Sequence, residues 1–138
     1  MDLANSLRVS QSIRFLGLIP KIDQIALLRA CRLLLQPTLF EGGPGGGSAS
    51  DAIGLGVPIV VSDIEINREI DTGYVRFFKA GDPIDLARKA QEVLLEAPPR
   101  PTREELIALS DLKLTRLGTE IVDFMQLILK SRLKKAGD

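Results

Sequence analysis

The sequence predicts an α/β fold in which a mostly parallel sheet of about four strands is covered by helices on both faces. Short apolar segments alternate with segments whose apolar residues recur at helical spacing. The predicted strands are apolar throughout rather than alternating with polar residues, which is typical of strands buried on both faces. The chain has 138 residues, the length of one ordinary domain. We expect a core over residues 13–96 and closing helices over residues 101–136.

The first third of the chain predicts two strands with a helix between them. Residues 13–17 are a short apolar segment and form the first predicted strand. Pro20 suits the first turn of a helix, and apolar residues then recur at helical spacing over residues 22–31. Residues 33–35 are apolar and are followed by Pro37, as expected for a second buried strand.

The middle of the chain continues this alternation. Residues 57–61 form the clearest predicted strand because they are β-branched and apolar apart from a proline at the beginning. One helical turn is predicted over residues 67–70, and another strand over residues 74–78. Asp82 and Pro83 then supply the cap and the first residue of a helix.

The closing part of the chain predicts two helices after a Pro-rich break at residues 97–101. Thr102 with Glu105 forms a capping box, which begins a helix that we expect to end near residue 109. A last helix is predicted over residues 114–135. Its apolar side carries Leu117, Ile121, Phe124, Met125, Ile128, Leu129 and Leu133. Its end carries Lys130, Arg132, Lys134 and Lys135, which favour a complement to the helix dipole over contact with a membrane surface.

Composition excludes several classes of function. Lys plus Arg and Asp plus Glu each number 18, so the formal net charge is zero and we expect no nucleic-acid partner. There is no histidine, which excludes the usual Ser and Cys triads, and we expect no metal site. Cys31 is the single cysteine, which fits a reducing compartment. Because the sequence contains neither a long apolar run nor a signal-peptide pattern, we expect a cytoplasmic protein.

The segment from Glu41 to Gly47 is the most unusual part of the chain. It reads Glu-Gly-Gly-Pro-Gly-Gly-Gly and joins the second predicted strand to a helix that Ser48 or Ser50 would cap and that ends at Gly56. The first N–H groups of a helix can bind an anion, and glycine allows the backbone to approach a ligand closely. The segment therefore predicts a site for a diphosphate or for a cluster of sugar hydroxyls.

Two acidic residues flank this loop. Glu41 precedes it and Asp51 follows one turn into the helix. Carboxylates bind sugar or ribose hydroxyls through charge-assisted hydrogen bonds, whereas they repel phosphate. Two structural alternatives remain open: the glycines serve only a tight turn, or Asp51 serves only as a favourable first-turn charge.

Two other phosphate-binding loops do not fit this segment. A Walker loop requires Lys before Ser, but Gly47 precedes Ser48. A dinucleotide loop would use Gly43 and Gly45 and would then have Ser48 at the place of its third glycine.

Several motifs occur in a fixed order over residues 13–95. They are Phe15–Gly17, Gln36–Gly42, Asp51–Asp63, Arg68–Ile70 and Gly81–Pro83. This ordered set resembles the C-terminal, donor-binding domain of the GT-B fold glycosyltransferases of family 4 (glycosyl transferase group 1). In that family, two Rossmann-like domains face each other across a cleft. The helices after Pro101 resemble the family only loosely.

The resemblance implies a retaining transfer from a nucleotide-diphosphate sugar, without a bound metal or other cofactor. Glu41 matches the first Glu of the family motif and would lie beside the donor sugar as the catalytic residue. Asp51 stands where the family has a second Glu that holds the ribose, and the nine residues between the two acids make a longer loop than in the family. The other implied donor-binding residues are Gly42, Gly43, Gly47 and Ser48 near the sugar or phosphate, and Gly17 and Leu18 near the nucleobase.

The same resemblance implies that parts of the enzyme lie outside this chain. The family supplies an Arg and a Lys to the diphosphate from a segment that would precede Met1, and it has a separate N-terminal acceptor domain. We therefore expect a truncated domain that does not catalyse transfer alone. In the sheet order 3-2-1-4-5-6, the strand at residues 13–17 would lose its neighbour. We expect that strand to be shifted, or a homo-oligomer to cover the exposed sheet edge.

Two other functions remain open at this point. The chain could be a non-catalytic nucleotide-sugar or phosphate-binding module that keeps the loop but lacks the cations. It could also be a phosphate-binding α/β protein unrelated to sugar transfer, which Glu41 disfavours because a carboxylate beside the loop suits hydroxyls better than phosphate.

Overall fold

The computed structural model describes residues 2–96 and 99–135. Its centre is a three-stranded parallel sheet in the spatial order β1-β2-β3. The strands are β1 (Leu34–Gln36), β2 (Ile59–Ser62) and β3 (Val75–Phe78). In the sheet register, Val60 of the central strand lies between Leu35 and Arg76.

Helices connect and follow these strands. They are α1 (Asp2–Ser6), α2 (Lys21–Ala30), α3 (Gly46–Gly54), α4 (Pro83–Glu96) and α5 (Arg103–Lys135). Two 3-10 turns lie at Ser10–Ser12 and Glu65–Glu69. In the described part of the chain, no helix combines the length and the apolar character that a bilayer crossing requires.

The central strand β2 is buried on both faces, as its apolar sequence predicts. Ile59 and Val61 pack into one cluster with residues of α2 and α3, whereas Val60 packs on the opposite face with Val93 of α4. All four β2 residues, including Ser62, are fully buried. Helices therefore cover both faces of a parallel sheet, and the predicted α/β class with a Rossmann-like arrangement is confirmed.

The number of strands is smaller than predicted. Residues 13–17 are not a strand within the described chain, and Phe15 is 68% exposed. An isolated extended segment gains no ladder hydrogen bonds, so apolar character alone does not make it a strand. The expectation of a shifted strand is thus wrong for this chain. A homo-oligomer that covers the sheet edge stays a prediction.

The end of the chain also differs from the prediction in one respect. The two predicted closing helices are one continuous helix, α5, because no residue between 109 and 114 breaks a helix. The capping box that begins it is present: the N–H of Thr102 donates to Glu105 Oε2 at 2.7 Å, and the N–H of Glu105 donates to Thr102 Oγ1 at 3.2 Å. The predicted Pro-rich break lies partly outside the described residues.

Candidate functional site

The Gly-rich loop connects the end of β1 to the start of α3, at the carboxyl edge of the sheet. Gly45 and Gly46 both have left-handed backbone conformations, with φ of +67° and +65°. Such angles favour glycine because a Cβ would crowd the backbone. α3 therefore begins at Gly46 with Gly45 as its N-cap, and not at Ser48 or Ser50 as the sequence suggested.

The buried side chain of Asn67 holds this loop in place. The sequence did not indicate a functional role for this residue. Asn67 is fully buried, and its Oδ1 accepts a hydrogen bond from the backbone N–H of Gly45 at 2.8 Å. Its Nδ2 donates to the carbonyl oxygen of Ser62 at 2.9 Å, and the Ser62 hydroxyl donates to the carbonyl oxygen of Thr38. This hydrogen-bond network connects the ends of β1 and β2 to Gly45, the N-cap of α3. The one indication of this role in the sequence was that Asn67 is a polar residue shortly after the clearest predicted strand.

The Glu41 carboxylate lies at the amino end of α3. Its Oε1 accepts a hydrogen bond from Gln36 Nε2 at 2.8 Å. Its Oε2 lies 2.7 Å from the place where a Cβ on Gly46 would be, so the carboxylate occupies the space that this glycine leaves free. The side chain is half-buried. The predicted proximity of this acid to the start of the helix is therefore present.

Glu41 lines two open grooves on the surface. The loop groove has a volume of about 380 Å³ and is lined by Glu41, Gly42, Gly43, Pro44, Gly46, Gly47 and Ser50. The second groove is of similar volume, about 380 Å³, and is lined by Leu39, Phe40, Glu41, Ile64, Glu65, Ile66 and Glu69. The structure thus brings the predicted residues Gly42, Gly43 and Gly47 together with Glu41. No Lys or Arg is among the residues that line the loop groove.

Two other predicted site residues face α2 instead of the loop groove. The Lys21 ammonium donates to Asp51 Oδ2, and Gln24 Nε2 donates to Ser48 Oγ at 2.9 Å. Ser48 and Asp51 are three residues apart in α3 and so share one side of the helix. Lys21 is 62% exposed and still forms this ion pair.

The segment predicted to flank the nucleobase precedes α2. Leu18 is fully exposed, and nothing lies within 4 Å of the place where a Cβ on Gly17 would be. Neither residue lines the loop groove. Among residues 2–96 and 99–135, no cluster of three or more His, Cys, Asp or Glu side chains is arranged to hold a metal ion.

A comparison with protein families finds a match over most of the chain. A family model described as "Glycosyl transferases group 1" matches residues 1–108. The match includes the whole sheet, the Gly-rich loop and α3. The chain belongs to the group 1 glycosyltransferase family. The predicted family is confirmed, and glycosyl transfer is the function that membership supports.

The family match ends close to the start of α5, so most of that helix lies outside it. No curated protein and no solved structure matches the chain. The roles of individual residues are therefore inferred from the geometry of the loop and its two grooves.

Proposed function

We propose that the loop groove binds the donor of a retaining glycosyl transfer, a nucleotide-diphosphate sugar, with Glu41 beside the sugar. One observation carries this proposal: the Glu41 carboxylate lies against Gly46, at the amino end of α3. A hydroxyl-binding acid and an anion-binding helix end therefore share one groove. A nucleotide-diphosphate sugar offers both partners, because sugar hydroxyls donate to carboxylates and phosphate oxygens accept from N–H groups.

The backbone of the loop is arranged for the phosphate end of this ligand. The Gly45 N–H is used by Asn67, and the Gly46 N–H donates to the Gly43 carbonyl oxygen at 3.1 Å. The next N–H groups, those of Gly47 and Ser48, belong to the first turn of α3, where helices have no internal acceptor. The dipole of α3 adds to the attraction for an anion at this position.

Catalysis in the complete enzyme would depend on positioning and on electrostatic stabilisation of the departing diphosphate, without a metal or other cofactor. The loop groove is not lined by any Lys or Arg, and Lys21 pairs with Asp51. We therefore propose that the cations, like the acceptor site, come from outside this chain, and that the chain alone does not transfer sugar. The single cysteine favours a reducing compartment, so we place the protein in the cytoplasm.

A second function has one observation in its favour. Because the loop groove is not lined by a cation, a binding module without catalytic activity also fits the site. Such a module would recognise the nucleotide sugar, or only its phosphates, through the same backbone groups. The two functions differ in the role of Glu41: a module that reads only phosphates would gain nothing from a carboxylate beside the helix end.

The proposal is tested by NMR titration of the 138-residue chain with a panel of nucleotide-diphosphate sugars at millimolar concentration. We expect the amide signals of residues 42–48 to shift with at least one donor, and Glu41→Gln to weaken that binding. Glu65→Gln is the matched control, because Glu65 lines the second groove and not the loop groove.

Other outcomes of this titration would contradict the proposal or favour the second function. Equal binding of the nucleotide sugar and of the free nucleoside diphosphate, unaffected by Glu41→Gln, would favour the phosphate-binding module. If no donor shifts the loop amides, the donor-site proposal is wrong. Transfer activity is tested separately, by adding the chain to a donor and simple sugar acceptors and measuring release of the nucleoside diphosphate.

A further inference from the structure

The helix α5 presents an apolar surface that the rest of the described chain does not cover. It has 33 residues and is therefore about 50 Å long. All its large apolar residues from Ile107 to Leu129 are exposed. Most of the helix lies beyond residue 108, where the family match ends. This surface is thus separate from the donor site, and the inference drawn from it does not depend on the proposed function.

Six of the twelve large apolar residues of α5 between Ile107 and Leu129 follow a heptad pattern. Ile107, Leu114, Ile121 and Ile128 are spaced by seven residues, and Leu117 and Phe124 lie three residues after two of them. These six residues, here called the heptad seam, are each between 38% and 63% exposed. The first position is apolar in four successive heptads and the second in the middle two, with Ser110 and Ser131 in the outer ones. Apolar residues repeated at these two positions are typical of a helix that pairs with another helix.

We propose that the heptad seam binds the same seam of a second copy of this chain, with the two helices antiparallel. The apolar pattern itself indicates a helix as partner, because each seam residue would insert between residues of a facing helix. The second copy is favoured over another protein because the two ends of α5 carry opposite net charge, so each end is complementary to the other end of a reversed copy.

The charge distribution sets the antiparallel orientation. The first nine residues of α5, 103–111, carry three acidic residues (Glu104, Glu105 and Asp111) and one basic residue, Arg103, whereas no acidic residue follows Asp123 in the helix. The basic residues of the second part include Lys130 and Arg132. A parallel pair would place the basic ends side by side, and an antiparallel pair places each basic end beside an acidic one. Opposite charges along the flanks of paired helices determine their orientation.

The same orientation gives a consistent set of apolar layers. When Leu117 packs against Ile121 of the second copy, Leu114 packs against Phe124, and Ile128 lies at the level of Ser110. Glu104 then lies on the same flank as Arg132 of the second copy, about two residues apart along the helices. The centre of the pair falls at the level of Thr119, next to Gly118.

The first experiment measures self-association of the 138-residue chain by sedimentation velocity over a range of concentrations. We expect a dimer at tens of micromolar, and Ile121→Asn to raise the dissociation constant at least ten-fold. Val122→Asn is the matched control, because Val122 is 51% exposed against 50% for Ile121 but lies off the seam. Both residues lie outside the core, so circular dichroism should show the same helix content in both variants.

Several results would overturn the proposal. A chain that stays monomeric at 200 micromolar, or equal effects of the two Asn variants, would show that the heptad seam does not pair. A monomer that binds anionic phospholipid vesicles and loses that binding with Ile121→Asn would assign the seam to a lipid surface instead.

The second experiment tests the orientation. Ser131→Cys, made in a Cys31→Ser background, places one spin label near the end of each helix. In the antiparallel pair the two labelled positions are about 36 Å apart along the helices, from the rise of an α-helix per residue. In a parallel pair they are adjacent. A short distance measured by pulsed electron paramagnetic resonance would therefore overturn the antiparallel arrangement. Arg132→Glu should weaken the dimer, and adding Glu104→Lys should restore it.

Discussion

The buried side chain of Asn67 accepts a hydrogen bond from the backbone N–H of Gly45 at 2.8 Å. Gly45 is the N-cap of α3 and has a left-handed conformation. The side-chain amide of Asn67 also donates to the carbonyl oxygen of Ser62, at the end of β2. One side chain thus joins the end of the central strand to the start of the helix that forms the candidate site, and the position of the loop depends on it.

Replacing this asparagine tests that dependence. We expect Asn67→Ala to lower the free energy of unfolding by about 2–4 kcal/mol, because the change leaves buried hydrogen-bonding groups without partners and creates a cavity. Urea denaturation measures the change. Asn5→Ala is the control, since Asn5 is exposed in α1, and we expect it to change stability by less than about 0.5 kcal/mol. Equal effects at the two positions would contradict the role of Asn67.

The two neighbouring glycines at the start of α3 should respond in opposite ways to alanine. At Gly46, the backbone has φ of +65° and a Cβ would lie 2.7 Å from Glu41 Oε2. We expect Gly46→Ala to destabilise the protein by about 1–2 kcal/mol, from the left-handed backbone alone, and to displace the Glu41 carboxylate. A Cβ on Gly47 meets nothing within 4 Å, so Gly47→Ala should stabilise the helix by about 0.5–1 kcal/mol.

Urea denaturation of the two alanine variants gives the comparison directly. If both variants are destabilised equally, the left-handed start of α3 is not the reason for the glycine at residue 46. A crystal structure of Gly46→Ala in which Glu41 has not moved would likewise argue against the contact.

The pH dependence of stability should include a contribution from Asp85. The backbone N–H of Lys79 donates to Asp85 Oδ2 at 2.7 Å, and this bond, together with the hydrogen bond from Arg88, lowers the pKa of Asp85 below its ordinary value of 3.8. Between the lowered pKa and the ordinary one, the unfolded chain binds more protons than the folded protein at this residue. The contribution of Asp85 to the free energy of unfolding is therefore present above pH 3.8 and is lost as the pH falls through the folded-state pKa.

The measurement compares Asp85→Asn with the unchanged protein by urea denaturation at several pH values from 7 to 2. We expect the variant to be less stable at neutral pH and the difference to shrink as the pH falls below about 4. A difference that stays constant over this range would show that the charge of Asp85 does not stabilise the fold.

Local signals in the sequence were sufficient to predict where a helix begins when nearby side chains cap its first turn. Asp82 Oδ1 accepts hydrogen bonds from the N–H groups of Ile84 and Asp85, each at 3.0 Å, and the Thr102–Glu105 capping box closes as predicted. Residues 13–17 failed as a strand because a strand needs a neighbour, which local sequence does not reveal. The predicted break within α5 was wrong because Ser110 and Asp111 are weak helix formers but not helix breakers.

The candidate site was predictable to the extent that it is local. The proximity of Glu41 to the glycines follows from their order in the chain, and the structure places that carboxylate against Gly46. Asn67 could not be found in this way, because it contacts a residue 22 positions earlier in the chain. For the same reason, the sequence did not show that Asp51 pairs with Lys21 from another helix.

The pairing of Asp51 with Lys21 leads to a prediction that separates the two interpretations of this acid. If Asp51 holds the ribose, Asp51→Asn should weaken binding of a nucleotide-diphosphate sugar about ten-fold or more, because a charge-assisted hydrogen bond is lost. If it is only a structural charge, binding should not change. Stability should change by less than about 1 kcal/mol in either case, since the ion pair is largely exposed at Lys21.

Lys21→Met is the matched variant for this prediction, because it removes the same ion pair while keeping the Asp51 carboxylate. We expect its stability to equal that of Asp51→Asn within about 0.5 kcal/mol, and its donor affinity to be retained, since the freed carboxylate can still accept from ribose hydroxyls. NMR titration with the tightest-binding donor measures both affinities. Should the two variants lose affinity to the same extent, the ion pair rather than the carboxylate supports the site, and Asp51 is not the ribose ligand.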